Sequence, residues 1–215
     1  MLPRKALGSF LIALVCVWAW NSPLLLPAKW VVVLFHEVGH ALAAVATGGE
    51  VVSLKVGMDQ SGEVLSRGGS RFVTLNAGYL GSLAWGLLCL VMSRTPVGAR
   101  LAAAGLGVGL GAAALAWARP VFSFGFAWVL VSAAAFGGLA RWASAGVLAA
   151  VLRVLGVFSM LYAVGDIVDD VLLRPGAPSD AAMLAELTGI PTLVWGLAWT
   201  ALSLVVMVRV VPRVG

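Results

Sequence analysis

Residues Trp30–Ala46 read WVVVLFHEVGHALAAVA, and the ionisable side chains within them are His36, Glu37 and His40. The remainder is apolar or small, as expected of a helix that crosses a bilayer. Ionisable groups are costly at that depth, so three of them at one level mark a functional site. The spacing says which kind. On an α-helix, residues i and i+4 share a face with Cβ atoms roughly 6 Å apart, so His36 and His40 can direct one imidazole nitrogen each to a single metal ion. Glu37, beside the first of them, can reach a water on that metal. The chain holds two histidines and four glutamates. Placed at random, the histidines fall four apart in about 1% of arrangements and a glutamate then follows the first in about 2% of those, so accident is a poor account of the pattern.

The rest of the chain agrees with a lipid setting. Of its 215 residues, 61% are hydrophobic and 11% charged, where a soluble domain runs about 45–50% and about 25%. A water-soluble globule is excluded. Apolar lengths give spans at 6–26, 30–46, 71–92, 97–118, 121–139, 147–166 and 191–208. The predicted fold class is an all-α multi-pass membrane protein of about six to seven transmembrane helices. A polar interval at 48–70 carries Val51–Val56 and Glu63–Ser66 as strands around the turn residues Asp59 and Gly62, hence a small β-hairpin after the second span. A second polar stretch, 174–190, opens a short helix at Ser179-Asp180. No separate soluble domain is expected; 1–215 reads as one integral membrane domain. The apolar run after Arg4-Lys5 continues through Trp18 and Trp20 without a small-x-small site, so a retained first span is expected there.

Net charge +5 comes from basic residues scattered singly, which argues for juxtamembrane charges and against a nucleic-acid partner. Counted for seven spans, they split seven to six between the two sides with Arg153 inside a span, so membrane orientation is left open. Cys16 and Cys89 lie in apolar stretches and form no metal-binding pair. The series Gly105, Gly107, Gly109 and Gly111 predicts small-residue contacts between spans rather than a nucleotide loop.

A catalytic zinc takes three protein ligands and keeps a fourth position for water. With both histidines used, the third ligand is expected among the acids, which are scarce: none occurs from Val64 to Gly165. Glu50, Asp59 and Glu63 follow the motif helix; Asp180 and Glu186 precede the last span. Asp166, Asp169 and Asp170 share a helix face at i, i+3 and i+4, and Asp166 is the deepest in its apolar run. Asp166 is therefore the first choice, ahead of Asp170, Asp169 and Asp180.

FHEVGHALAAVATGG, followed by a strand-like segment and a span opening LNAGYLGS, resembles the site-2 protease family of intramembrane zinc metalloproteases, and most of all its compact branch without a PDZ domain. The resemblance implies a Zn²⁺-dependent endopeptidase of the cell membrane acting on a membrane-embedded or membrane-tethered protein substrate. His36 and His40 would then be ligands and Glu37 the catalytic base. The family's third ligand lies in an Asn…Pro…Leu-Asp-Gly segment; the corresponding SMLYAVGDIVDD shares only the spacing to Asp166. The competing class is a metal-binding membrane protein without proteolysis, either a degenerate relative or a divalent-metal carrier. Glu37 between two ligands weighs for a hydrolase, and polar residues confined to one level weigh against a transport path.

Overall fold

Five helices begin where the sequence supplies a hydroxyl. In this computed structural model, which describes residues 4–174 and 178–214, the helices are α1 (Arg4–Trp18), α2 (Leu26–Ala46), α3 (Arg71–Met92), α4 (Pro96–Ala116), α5 (Phe124–Trp142), α6 (Ala145–Val168), α7 (Asp180–Thr188) and α8 (Thr192–Val214). Ser70, Thr95, Ser123, Ser144 and Ser179 cap α3 to α7, each side chain accepting a hydrogen bond from the backbone N–H three residues on. Such caps satisfy amides that lipid cannot.

Among the described residues, six helices are long and apolar enough to cross a membrane, so the chain is an integral multi-pass membrane protein. The first expected span is the exception. Its helix stops at Trp18, and a turn leads into a 3-10 segment at Pro23–Leu25 that runs on into α2. Fifteen residues of helix reach about 22 Å, short of a hydrocarbon core about 30 Å thick. Asn21, Ser22 and Pro23 end the apolar run sooner than its hydropathy suggests, because Ser22 caps the 3-10 turn instead.

α3 lies at the centre, packed on α2 on one side and α6 on the other, while α2 and α6 touch only slightly. Glycines set the crossings. A Cβ on Gly86 would come within 2.8 Å of the Gly156 carbonyl oxygen, one on Gly156 within 2.7 Å of the Gly86 oxygen, and one on Gly81 within 3.1 Å of Gly39 Cα. Close backbone approach of this kind is how helices associate without a hydrophobic driving force. Ser159 adds a buried hydrogen bond from its Oγ to the Ser82 carbonyl, 2.7 Å. α4 packs on α5 and α6, and α1 and α8 close the other flank against α6. In the glycine series of α4 the expectation holds only at Gly107, whose Cβ would meet Gly137 at 2.8 Å, and loosely at Gly111; Gly105 and Gly109 face open space.

The hairpin is present as β1 (Glu50–Val56) and β2 (Gly62–Arg67), antiparallel, with a bulge between Val51 and Ser53. Cross-strand ion pairs Lys55–Glu63 (2.8 Å) and Arg67–Glu50 (3.4 Å) agree with the register. The tip turns on Asp59, whose Oδ1 accepts from the N–H and hydroxyl of Ser61. Two contacts dock the hairpin. Trp30 Nε1 donates to the Met58 carbonyl at 3.2 Å, and the outer edge of β1 pairs at Leu54 with the α4–α5 connection, through Leu54 N–H to Trp117 O (2.8 Å) and Arg119 N–H to Leu54 O (3.1 Å). The hairpin thereby runs along α2.

Candidate metal centre

His36 and His40 lie one turn apart on α2 with ring centroids 4.8 Å apart. The carboxylate brought to both is that of Asp180. Its Oδ2 stands 3.1 Å from His36 Nε2 and 3.0 Å from His40 Nε2. Among the described residues these three form a group able to offer one ligand atom each within 4.8 Å of one another. Tetrahedral bonds of about 2.0–2.1 Å separate ligand atoms by about 3.3 Å, so the cluster has the scale and chemistry of a zinc site. The other carboxylates have different engagements. Asp166, ranked first from the sequence, places Oδ2 3.6 Å from Nδ1 of His36, on the opposite edge of the imidazole from Asp180. Asp169 and Asp170 pair with Arg174 at 2.9 and 2.8 Å. Glu50 and Glu63 are held in the cross-strand pairs, Asp59 in the hairpin turn, and Glu186 is exposed.

Asp180 reaches the histidines because α7 is anchored. Ala181 and Leu184 are fully buried against Leu75, Tyr79, Ile167 and Trp199. Position 184 lies one turn after 180, so the first-turn acid points into the protein with the apolar face. Burial would raise its carboxyl; hydrogen bonds and charge from His36 and His40 outweigh that and hold it well below the usual range, at about 2. A legible signal existed in SDAAMLAEL, an acid on the apolar stripe of a short amphipathic helix, but in sequence it reads as an ordinary helix-opening acid.

The surroundings orient these groups. His40 Nδ1 stands 2.7 Å from the Thr74 carbonyl; as an N–H donor there it leaves Nε2 free as a ligand, the usual arrangement for metal-binding histidine. Tyr79 packs edge-on to His36, centroids 5.1 Å apart, and its hydroxyl donates to Asp170 Oδ2 at 2.5 Å. Two glycines complete the centre. A Cβ on Gly78 would overlap His36 Nε2 and crowd Asp180 Oδ2, and one on Gly62 would overlap the carboxylate of the buried Glu37. The hairpin therefore lays its second strand directly over Glu37. Sequence reasoning did not find Gly62 and Gly78 as site residues, since their role is the space they leave.

Comparison with known proteins gives one match. A family model described as Peptidase M50B-like covers residues 9–210. No curated protein and no solved structure matches.

Proposed function

The chain belongs to the Peptidase M50B-like family, and from that premise we propose that it is a zinc-dependent intramembrane endopeptidase, with His36, His40 and Asp180 as metal ligands and Glu37 as catalytic base. The observation that carries the reading is one carboxylate oxygen of Asp180 standing 3.0–3.1 Å from both Nε2 atoms. Asp166, at Nδ1 of His36, is assigned to orienting that ring and raising its basicity. A zinc ion held by His36, His40 and Asp180 would supply Lewis acidity, lowering the pKa of a water and polarising the scissile carbonyl. Glu37 accepts the proton of the attacking water and delivers it to the leaving amine. Gly62 admits the carboxylate to that position, and the shell of α2, α3 and α7 limits access of bulk water.

The substrate proposed is a membrane-embedded or membrane-tethered protein of the cell membrane. Its helical carbonyls are tied up internally and must be freed before attack. β2 offers a means of holding it extended. Leu54 turns its N–H and carbonyl away from β2, towards Trp117 and Arg119; Val64, directly opposite, must turn its own the other way, to the outer edge of β2, where a substrate strand can add. Two measurements test the assignment. Zinc stoichiometry on the purified protein is expected to fall in His36→Ala, His40→Ala and Asp180→Ala. Cleavage of a single-span reporter in proteoliposomes is expected to cease in Glu37→Gln with zinc retained; cleavage at the parental rate would sink the proposal.

A further inference from the structure

The structure assigns Tyr79 and Asp170 as a pair of positioning residues: hydrogen-bonded to each other, they brace the imidazole of His36 so that its Nε2 stays aimed at Asp180, beside that of His40. Their effect on turnover rests on the proteolytic reading above; their effect on the metal centre does not. The two histidines are held differently. His40 is tethered at Nδ1 by the Thr74 carbonyl, 2.7 Å away. His36 has no such tether. Its Nδ1 lies 3.6 Å from Asp166 Oδ2, where charge acts but the separation is too long for a hydrogen bond to fix the ring plane. That plane is left to the groups packed against the ring.

Tyr79 is the brace. It meets His36 edge-on, with ring planes at 88°, and is itself 1% exposed. It also packs on Trp199 with centroids 4.7 Å apart, and Trp199 is in turn fixed by a bond from its Nε1 to Asn76 Oδ1 at 3.1 Å. A phenyl ring would fill the same space, but the hydroxyl adds a direction. It donates to Oδ2 of Asp170, whose Oδ1 accepts from Arg174 at 2.8 Å. Both carboxylate oxygens are thereby engaged. A bond to an ionised acceptor is about twice as strong as a neutral one, so the phenol is pinned at its far end. Asp170 reaches it from the end of α6, which continues past Val168 through one π-helical turn, Asp169–Leu173. Turns of that kind are rare and gather at functional sites. Two acids one turn apart on α6 thus act on one histidine by different routes, Asp166 at its Nδ1 edge and Asp170 through the phenol beside it.

The test uses the full chain loaded with Zn²⁺ for kinetics and with Co²⁺ for visible absorption, whose d–d bands report the arrangement of the ligands. Tyr79→Phe keeps the ring and removes the hydroxyl. It is expected to retain stoichiometric metal, to shift the Co²⁺ bands, and to lower kcat for a single-span reporter about tenfold with KM within about twofold of the parent. Asp170→Leu should reproduce both effects. The double variant Tyr79→Phe/Asp170→Leu should be no worse than either alone, because the two residues act as one unit. Asp170→Asn, which keeps an acceptor for the phenol, should retain the parental spectrum. A parental spectrum in Tyr79→Phe overturns the assignment, even if its melting temperature falls, since that would leave Tyr79 only a packing role. So do effects that multiply in the double variant, or an Asp170→Asn protein as altered as Asp170→Leu, which would assign the effect to charge. The Co²⁺ spectrum is read without substrate, so failure of the parent to cut its reporter would count against the proteolytic reading and leave the positioning role to be decided by the spectra.

Discussion

Gly78 on α3 faces Asp180 on α7 so closely that a Cβ placed on the glycine would come within 2.5 Å of Asp180 Oδ2 while overlapping His36 Nε2. The space beside the ligand atoms belongs to a missing side chain. Gly78→Ala is therefore expected to lower zinc affinity by at least about 10–100-fold, the range that lesser disturbances around a metal already cause. Zinc titration against a chelator of known affinity reads this, and parental affinity would show that α7 is free to move aside.

The two carboxylates at His36 are expected to separate by magnitude. Asp180→Ala removes the proposed third ligand and should leave substoichiometric zinc, whereas Asp166→Asn, on the other edge of the ring, should cost about 10–100-fold in affinity and keep the site saturable. The reverse order would make Asp166 the ligand.

Gly62→Ala pushes a methyl group into the Glu37 carboxylate and leaves the ligand atoms alone. Zinc content is expected to stay at one per chain while kcat for a membrane-tethered reporter falls about 100-fold, the scale of an ångström's misplacement. A fall confined to KM would assign Gly62 to substrate binding alone.

Val64→Pro deletes an N–H that points away from the hairpin ladder, so β1–β2 pairing should persist. Reporter cleavage is expected to drop about tenfold or more through loss of strand addition, with zinc binding unchanged. Unaltered kinetics would exclude the outer edge of β2 as a substrate-binding element.

Ser159→Ala removes the buried donor to the Ser82 carbonyl between α3 and α6. In a membrane protein such bonds average about 0.6 kcal/mol, so reversible unfolding in detergent should show a loss of that order. A loss of several kcal/mol would mean that Ser159 holds more of the α3–α6 contact than one hydrogen bond.

Local information was legible in the sequence. His36, Glu37 and His40 lie within five consecutive residues, so a single helix fixes their relation, and the hairpin and the Ser179 cap are set by neighbours a few positions away. The first helix is shorter than its apolar run for the converse reason. Hydropathy averages over a window, while α1 ends at Trp18 and Ser22 caps a separate 3-10 turn that opens at Pro23.

The sequence alone determined a membrane-spanning chain and two histidines on one face of α2 with a glutamate beside the first, because each follows from composition or from helical periodicity. Only the tertiary structure decided which carboxylate faces the histidines. Asp166 and Asp180 are both more than 120 residues from His36, and no local rule orders them. Depth in an apolar run favoured Asp166. The packing of Ala181 and Leu184 under α3 and α8 carries Asp180 to the two Nε2 atoms instead, across a gap that glycine at 78 leaves open.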